Sequence, residues 1–113
     1  NSLSFGGRRS GINAEFDIES IGDITINNIL CSGEEACNSL SIHINLMSNS
    51  NTLSGLFIEC AANRACVRAR ITILRRGSIL SASQTRALNI VVNCNTGNAC
   101  NRANINNIPF TSF

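Results

Sequence analysis

The chain has 113 residues, six of them Cys, with nine Arg, no Lys, seven acids and a formal net charge of +2. That length suffices for one domain with a single continuous core, and no apolar run is long enough to cross a bilayer as a helix. So small a net charge, without a Tyr or Trp on which bases could stack, argues against a nucleic-acid surface. The apolar fraction of 43% is carried by Ile, Leu, Val and Ala, which suits pleated, packed strands. Asn-rich columns can hydrogen-bond along stacked strands. The chain has no initiator Met and no signal peptide, so it is expected to be a mature or excised segment.

In chain order, the first stretch is the apolar head Leu3-Ser4-Phe5-Gly6-Gly7. Ile12, Ala14, Phe16 and Ile18 then alternate with Asn13, Glu15, Asp17 and Glu19, the period-two pattern of a half-buried strand. A shift of 30 residues places Ile12 on Ile42, so residues 1–30 are expected to form a variant first rung without cysteines. After it comes a repeat. Cys31–Cys37, Cys60–Cys66 and Cys94–Cys100 are each C-x4-A-C. Ile29, Ile58 or Val92 stands two residues before each first Cys. Leu40, Ile42 and Ile44 come after the first pair at offsets shared by Ala69, Ile71 and Ile73 after the second, and by Ala103 and Ile105 after the third.

Gly/Ser/Asn-rich corners such as Ser48-Asn49-Ser50-Asn51, Arg76-Gly77-Ser78 and Asn95-Thr96-Gly97 separate the strand segments. A unit of this length cannot bury its apolar side alone, so stacking must supply the core. The expected fold is all-β: one parallel β-helix (β-solenoid) of about four rungs, with Cys repeats over 24–52, 53–86 and 87–113. Ile42, Ile71 and Ile105 should stack, with Ile12 beneath them, as should Ile29, Ile58 and Val92. A small sandwich of antiparallel hairpins is the competing reading, and the length of the repeat speaks against it.

Cys31, Gly33, Ala36 and Cys37 make a C-x-G-x-x-A-C motif, and Cys94, Gly97, Ala99 and Cys100 match it with the Gly moved by one. With its alternating strand, the motif resembles the cysteine-bearing β-solenoid repeats of large extracellular proteins of protists, over residues 24–108. The middle copy has no Gly between its cysteines. The resemblance implies a surface or filament-forming role and carries no catalytic residues.

An even number of regularly spaced Cys in a short chain implies disulfides formed in an oxidising, extracellular space. Pairing within each hexad would tie off a corner loop, and pairing between rungs is the alternative. C-x5-C fits zinc-ligand spacing poorly, and no metal or other cofactor is expected. His43 alternates with Ile42 and Ile44, so it should face outward, and no nucleophile motif accompanies it. Glu15, Asp17 and Glu19 share an outer strand face and could hold Ca²⁺ or serve a lyase, but a solvated face is the simpler reading. No enzymatic activity is expected. Thr25, Thr52, Thr72, Thr85, Thr96 and Thr111 do not align by rung, which weakens ice binding.

Residues 1–59 hold all seven acids with Arg8 and Arg9, a charge of −5, and residues 60–113 hold seven Arg and no acid, a charge of +7. In a solenoid this split becomes an axial dipole. Neither end shows a capping helix, and the tail Ile108–Phe113 is apolar. Open, complementary ends lead to a heterologous contact and filaments. The chain is therefore expected to associate with itself head to tail, through Glu15, Asp17 and Phe5 on one side and Arg75, Arg76, Phe110 and Phe113 on the other. The alternative is a non-catalytic binding module, for carbohydrate or ice, in a larger secreted surface protein.

Overall fold

The computed structural model describes residues 2–23, 28–49, 53 and 56–110. Strand outweighs helix 42% to 6%, so the protein is mostly β. Its strands are β1 (Ser2–Phe5), β2 (Glu15–Ser20), β3 (Asn28–Cys31), β4 (Ser41–Leu46), β5 (Leu56–Cys60), β6 (Arg70–Arg75), β7 (Ser78–Ile79), β8 (Ile90–Cys94), β9 (Asn104–Ile105) and β10 (Ile108–Pro109). One short helix, α1 (Ala82–Arg86), lies between β7 and β8.

The strands form two sheets. The first has the order β1-β3-β5-β8, and all its pairs are parallel. The second runs β10-β9-β6-β4-β2 and is parallel from β2 to β9, with β7 and β10 added antiparallel. Each unit is thus a strand of the first sheet, a corner and a strand of the second. The units succeed one another in chain order, so position along the stack tracks position in the sequence.

Alternation fills the space between the sheets. Ile42 pairs with Ile71, and Ile71 with Ile105, and all three are at most 2% exposed. Ile29, Ile58 and Val92 likewise lie side by side. These columns are the ones the Cys frame predicts. The first unit departs from expectation: Phe16, not Ile12, pairs with Ile42, an offset of 26 residues rather than 30. Ile12 lies in the corner before β2, where its backbone N–H donates to Arg9 O at 3.4 Å. The corner from Phe5 to Glu15 is as long as that from Cys31 to Ser41, but the return link from Ser20 to Asn28 is shorter than that from Leu46 to Leu56, so the repeat period of the Cys units does not extend back to the first.

The other end also differs from the open one expected of it. Asn106 and Asn107, both at positive φ (48° and 67°), make a two-residue turn between β9 and β10, the backbone that antiparallel hairpins favour and Asn tolerates. The hairpin folds the tail back over the second sheet. Phe110 is 3% exposed and packs in the core instead of lying free at an open end. Phe113 lies outside the described residues.

α1 helps to close this end. Ser81 and Gln84 form a reciprocal capping box. Thr85, the one buried polar residue among those described, donates to Ser81 O and accepts from Asn106 Nδ2 at 3.0 Å. The Asn106 amide also accepts from Ile73 N–H at 2.8 Å and donates to Ile73 O at 3.0 Å. It therefore occupies the ladder position that β9 would take beside β6 if it ran on.

Candidate functional site

The corners are the most repeated structure in the molecule. Cys31, Cys60 and Cys94 end β3, β5 and β8 in register. Each bonds to the Cys six residues on, with a Cα–Cα distance of 5.9 Å in every case. Pairing is local and not between units. The Ala before each second Cys (Ala36, Ala65, Ala99) is fully buried, so a larger side chain there would have to displace packed neighbours. Gly33 is required for the same reason, since a Cβ on it would lie 2.3 Å from Gly7 O. Gly97 is not its counterpart: a Cβ there would meet nothing within 4 Å. The middle corner, with no Gly, closes its disulfide at the same Cα distance.

The sulfurs of Cys31, Cys37 and Cys66 lie within 4.8 Å of one another, as do those of Cys60, Cys94 and Cys100. All six are in disulfides, so none is a free thiolate ligand. Three disulfides in 113 residues fit a secreted or extracellular protein. Among the described residues, no helix is long and apolar enough to cross a membrane.

Left-handed residues set the shape of each corner. Arg9, Glu35 and Arg64 occupy one such position in successive units, and Asn13, Ser39, Arg68 and Arg102 another. The first set forms an ionic ladder: Glu35 lies 3.6 Å from Arg9 Nε and 3.7 Å from Arg64 Nη1. Both Arg side chains are more than half exposed, so each pair contributes little, of the order of 0–1 kcal/mol.

The residues expected at the ends divide. Glu15, Asp17 and Glu19 are exposed along β2, the outermost strand of the second sheet at the head. Phe5 is also at the head, half-buried, with its ring centroid 6.1 Å from that of Phe16. Arg75 and Arg76 are not at the tail. They close β6, one unit below it, where Arg75 Nη1 donates to Ser48 O at 2.8 Å and Arg76 N–H to Leu46 O. His43 is exposed between Asp17 and Thr72, over a shallow hollow of about 250 Å³. Among the described residues, the hollow is lined by Asp17, Glu19, Asn45 and apolar side chains, with neither a Ser nor a Cys beside His43.

Sequence reasoning did not single out Arg102. It lies in the last corner, where a hollow of about 870 Å³ is lined by Cys94–Asn98, Cys100–Asn104, Asn107 and Pro109. The signal was present: Arg102 stands after Cys100 at the same offset as Arg68 after Cys66.

No protein-family model, no curated protein and no solved structure matches the chain. The class of protein therefore rests on its own geometry: a disulfide-bearing, mostly β protein of stacked parallel strands.

Proposed function

We propose that the chain is a parallel β-solenoid with a structural role, a subunit or segment of an extracellular filament at a cell surface that grows head to tail. One observation carries this reading. The four strand–corner–strand units stack in chain order and, among the described residues, leave strand edges without a neighbour: β1 and β2 at the head, β8 at the tail. Such edges are templates for another chain. The charge split of −5 against +7 runs along the same direction and would orient the encounter. The resemblance to C-x-G-x-x-A-C solenoid repeats of extracellular protist proteins supports the same role. Sedimentation velocity with negative-stain microscopy tests it. Fibres should form at low salt, and added salt should slow their growth more than it loosens finished fibres. Discrete monomers at high concentration and low salt would contradict the proposal.

A second reading, a binding module for an acidic carbohydrate, is favoured by one feature. Asn38, Arg64, Val67, Arg68, Asn101 and Arg102 line a hollow of about 330 Å³. Among the described residues no carboxylate stands within 4.0 Å of Arg68 or Arg102. Calorimetric titration with a uronate oligosaccharide checks it: Arg68→Ala should weaken binding roughly tenfold, and no heat with the unaltered protein would dismiss it.

A further inference from the structure

The backbone of the corners has a direction. Arg9 N–H donates to Glu34 O (2.8 Å), Asn13 to Asn38 O (3.0 Å), Glu35 to Asn63 O (3.2 Å), Ser39 to Val67 O (2.8 Å) and Arg68 to Asn101 O (2.9 Å). Cys37 and Cys66 donate in the same sense, to Ala65 O and Ala99 O. From the third to the eighth residue of each corner, the earlier unit gives the N–H and the later unit the C=O; at the last residue the sense reverses, with Ser41, Arg70 and Asn104 donating to Ala14 O, Leu40 O and Ala69 O. The last corner is thus left with outward donors at Asn98, Cys100 and Arg102, and the first with outward acceptors at Arg8, Ser10 and Ile12. None of these six groups has a partner among the described residues.

We infer that the hollow over the last corner is a seat for the first corner of a second copy, and that backbone polarity makes this contact head to tail. The inference rests on the self-association proposed above and specifies its surface. Over that stretch two heads would set C=O against C=O, and two tails N–H against N–H; only head on tail pairs donors with acceptors there. Side chains agree. In the register of the internal corners, Asn98 would meet Arg9 and Arg102 would meet Asn13, so no like charges coincide. Leu3 and Phe5 at the head and Val92 and Cys94 at the tail are each half-buried, and β1 beside β8 would cover all four. The second sheet takes no part. Its tail edge is β10, where Pro109 has no N–H to offer a further strand.

Gly97→Trp tests the seat, because a Cβ at Gly97 meets nothing in its own chain and the indole would fill the hollow. Asn98→Trp, at an exposed position beside it, is the second variant, and His43→Trp on the outer face of the second sheet is the control. Circular dichroism and non-reducing peptide mapping verify folding. Both tail variants should raise the critical concentration for fibres about tenfold or more, with the control unchanged. Folded tail variants retain a working head, so small amounts mixed into unaltered protein should shorten fibres by ending growth at one end. Tail variants that assemble like the unaltered protein would overturn the seat while leaving self-association standing. Unaltered protein that forms no fibres, or stops at dimers, would overturn both.

Discussion

The ring of Phe5 fills the space that a side chain on Gly11 would need: a Cβ built there would lie 2.6 Å from Phe5 Cδ1. Phe5 is in register with Cys31, and Gly11 falls at the corner position of Cys37, since Asn13 N–H bonds to Asn38 O just beyond. In the first unit, therefore, an aromatic ring over a glycine stands where the other three units have a disulfide.

Gly11 is doubly constrained, by that ring and by its φ of +72°. Gly11→Ala should cost about 2 kcal/mol or more, from left-handed strain and overpacking together. Gly97→Ala, in open space, should stay within about 0.5 kcal/mol. Chemical denaturation of the monomer measures both, and equal costs would show that Phe5 does not fill this site.

Ile71 is 2% exposed, and its neighbour Thr72 lies half-buried on the outer side beside His43. Ile71→Asp should cost several kcal/mol by placing an unpaired charge in the core. Thr72→Asp should change stability by about 0.5 kcal/mol or less. Denaturant midpoints separate the two.

These columns are legible in the sequence because each Cys pair marks a corner and fixes the phase of the strand after it. Where no Cys stands, the phase is lost: Ile12 has the look of the first member of a strand that begins at Glu15. The tail misleads for a different reason. Ile105-Asn106-Asn107-Ile108 carries the signature of a two-residue hairpin, but the apolar residues around it suggest a strand running on. The capping box at Ser81 and Gln84 announces α1 in the same way, inside the longer link that stretches the third unit. The direction of the corner hydrogen bonds has no signal at all, because it belongs to the backbone and not to side chains.

Asn106 satisfies three groups: Ile73 N–H, Ile73 O and Thr85 Oγ1. Asn106→Leu removes all three bonds; Ile73 O keeps the Leu80 N–H and Thr85 Oγ1 still donates to Ser81 O, so the buried Ile73 N–H is the group left without a partner, at a cost of about 1–3 kcal/mol. Hydrogen exchange at the Ile73 amide should speed up with the loss. An unchanged rate would mean that α1 and the hairpin close this end without the side chain.

The three disulfides are unequally shielded. Cys31, Cys37, Cys60 and Cys66 are at most 1% exposed, Cys100 is 8% exposed and Cys94 is half-buried. Graded reduction and then alkylation should label Cys94 and Cys100 first, since exchange needs access to a sulfur. Replacing either inner pair by Ala should cost about 2 kcal/mol by the loop-entropy estimate. In assembled fibres the seated corner should protect the last pair as well, and preferential labelling of Cys60 and Cys66 would contradict the burial order.

Head-to-tail stacking is tested most directly by an electron cryomicroscopy map of the native assembly at side-chain resolution. Parallel strands should be spaced about 4.8 Å apart along the fibre axis. At each junction β1 of one copy should lie beside β8 of the next, Phe5 over Cys94, with the second sheet interrupted at Pro109. A map of isolated monomers, of head-to-head pairs, or of strands running along the fibre axis would contradict it.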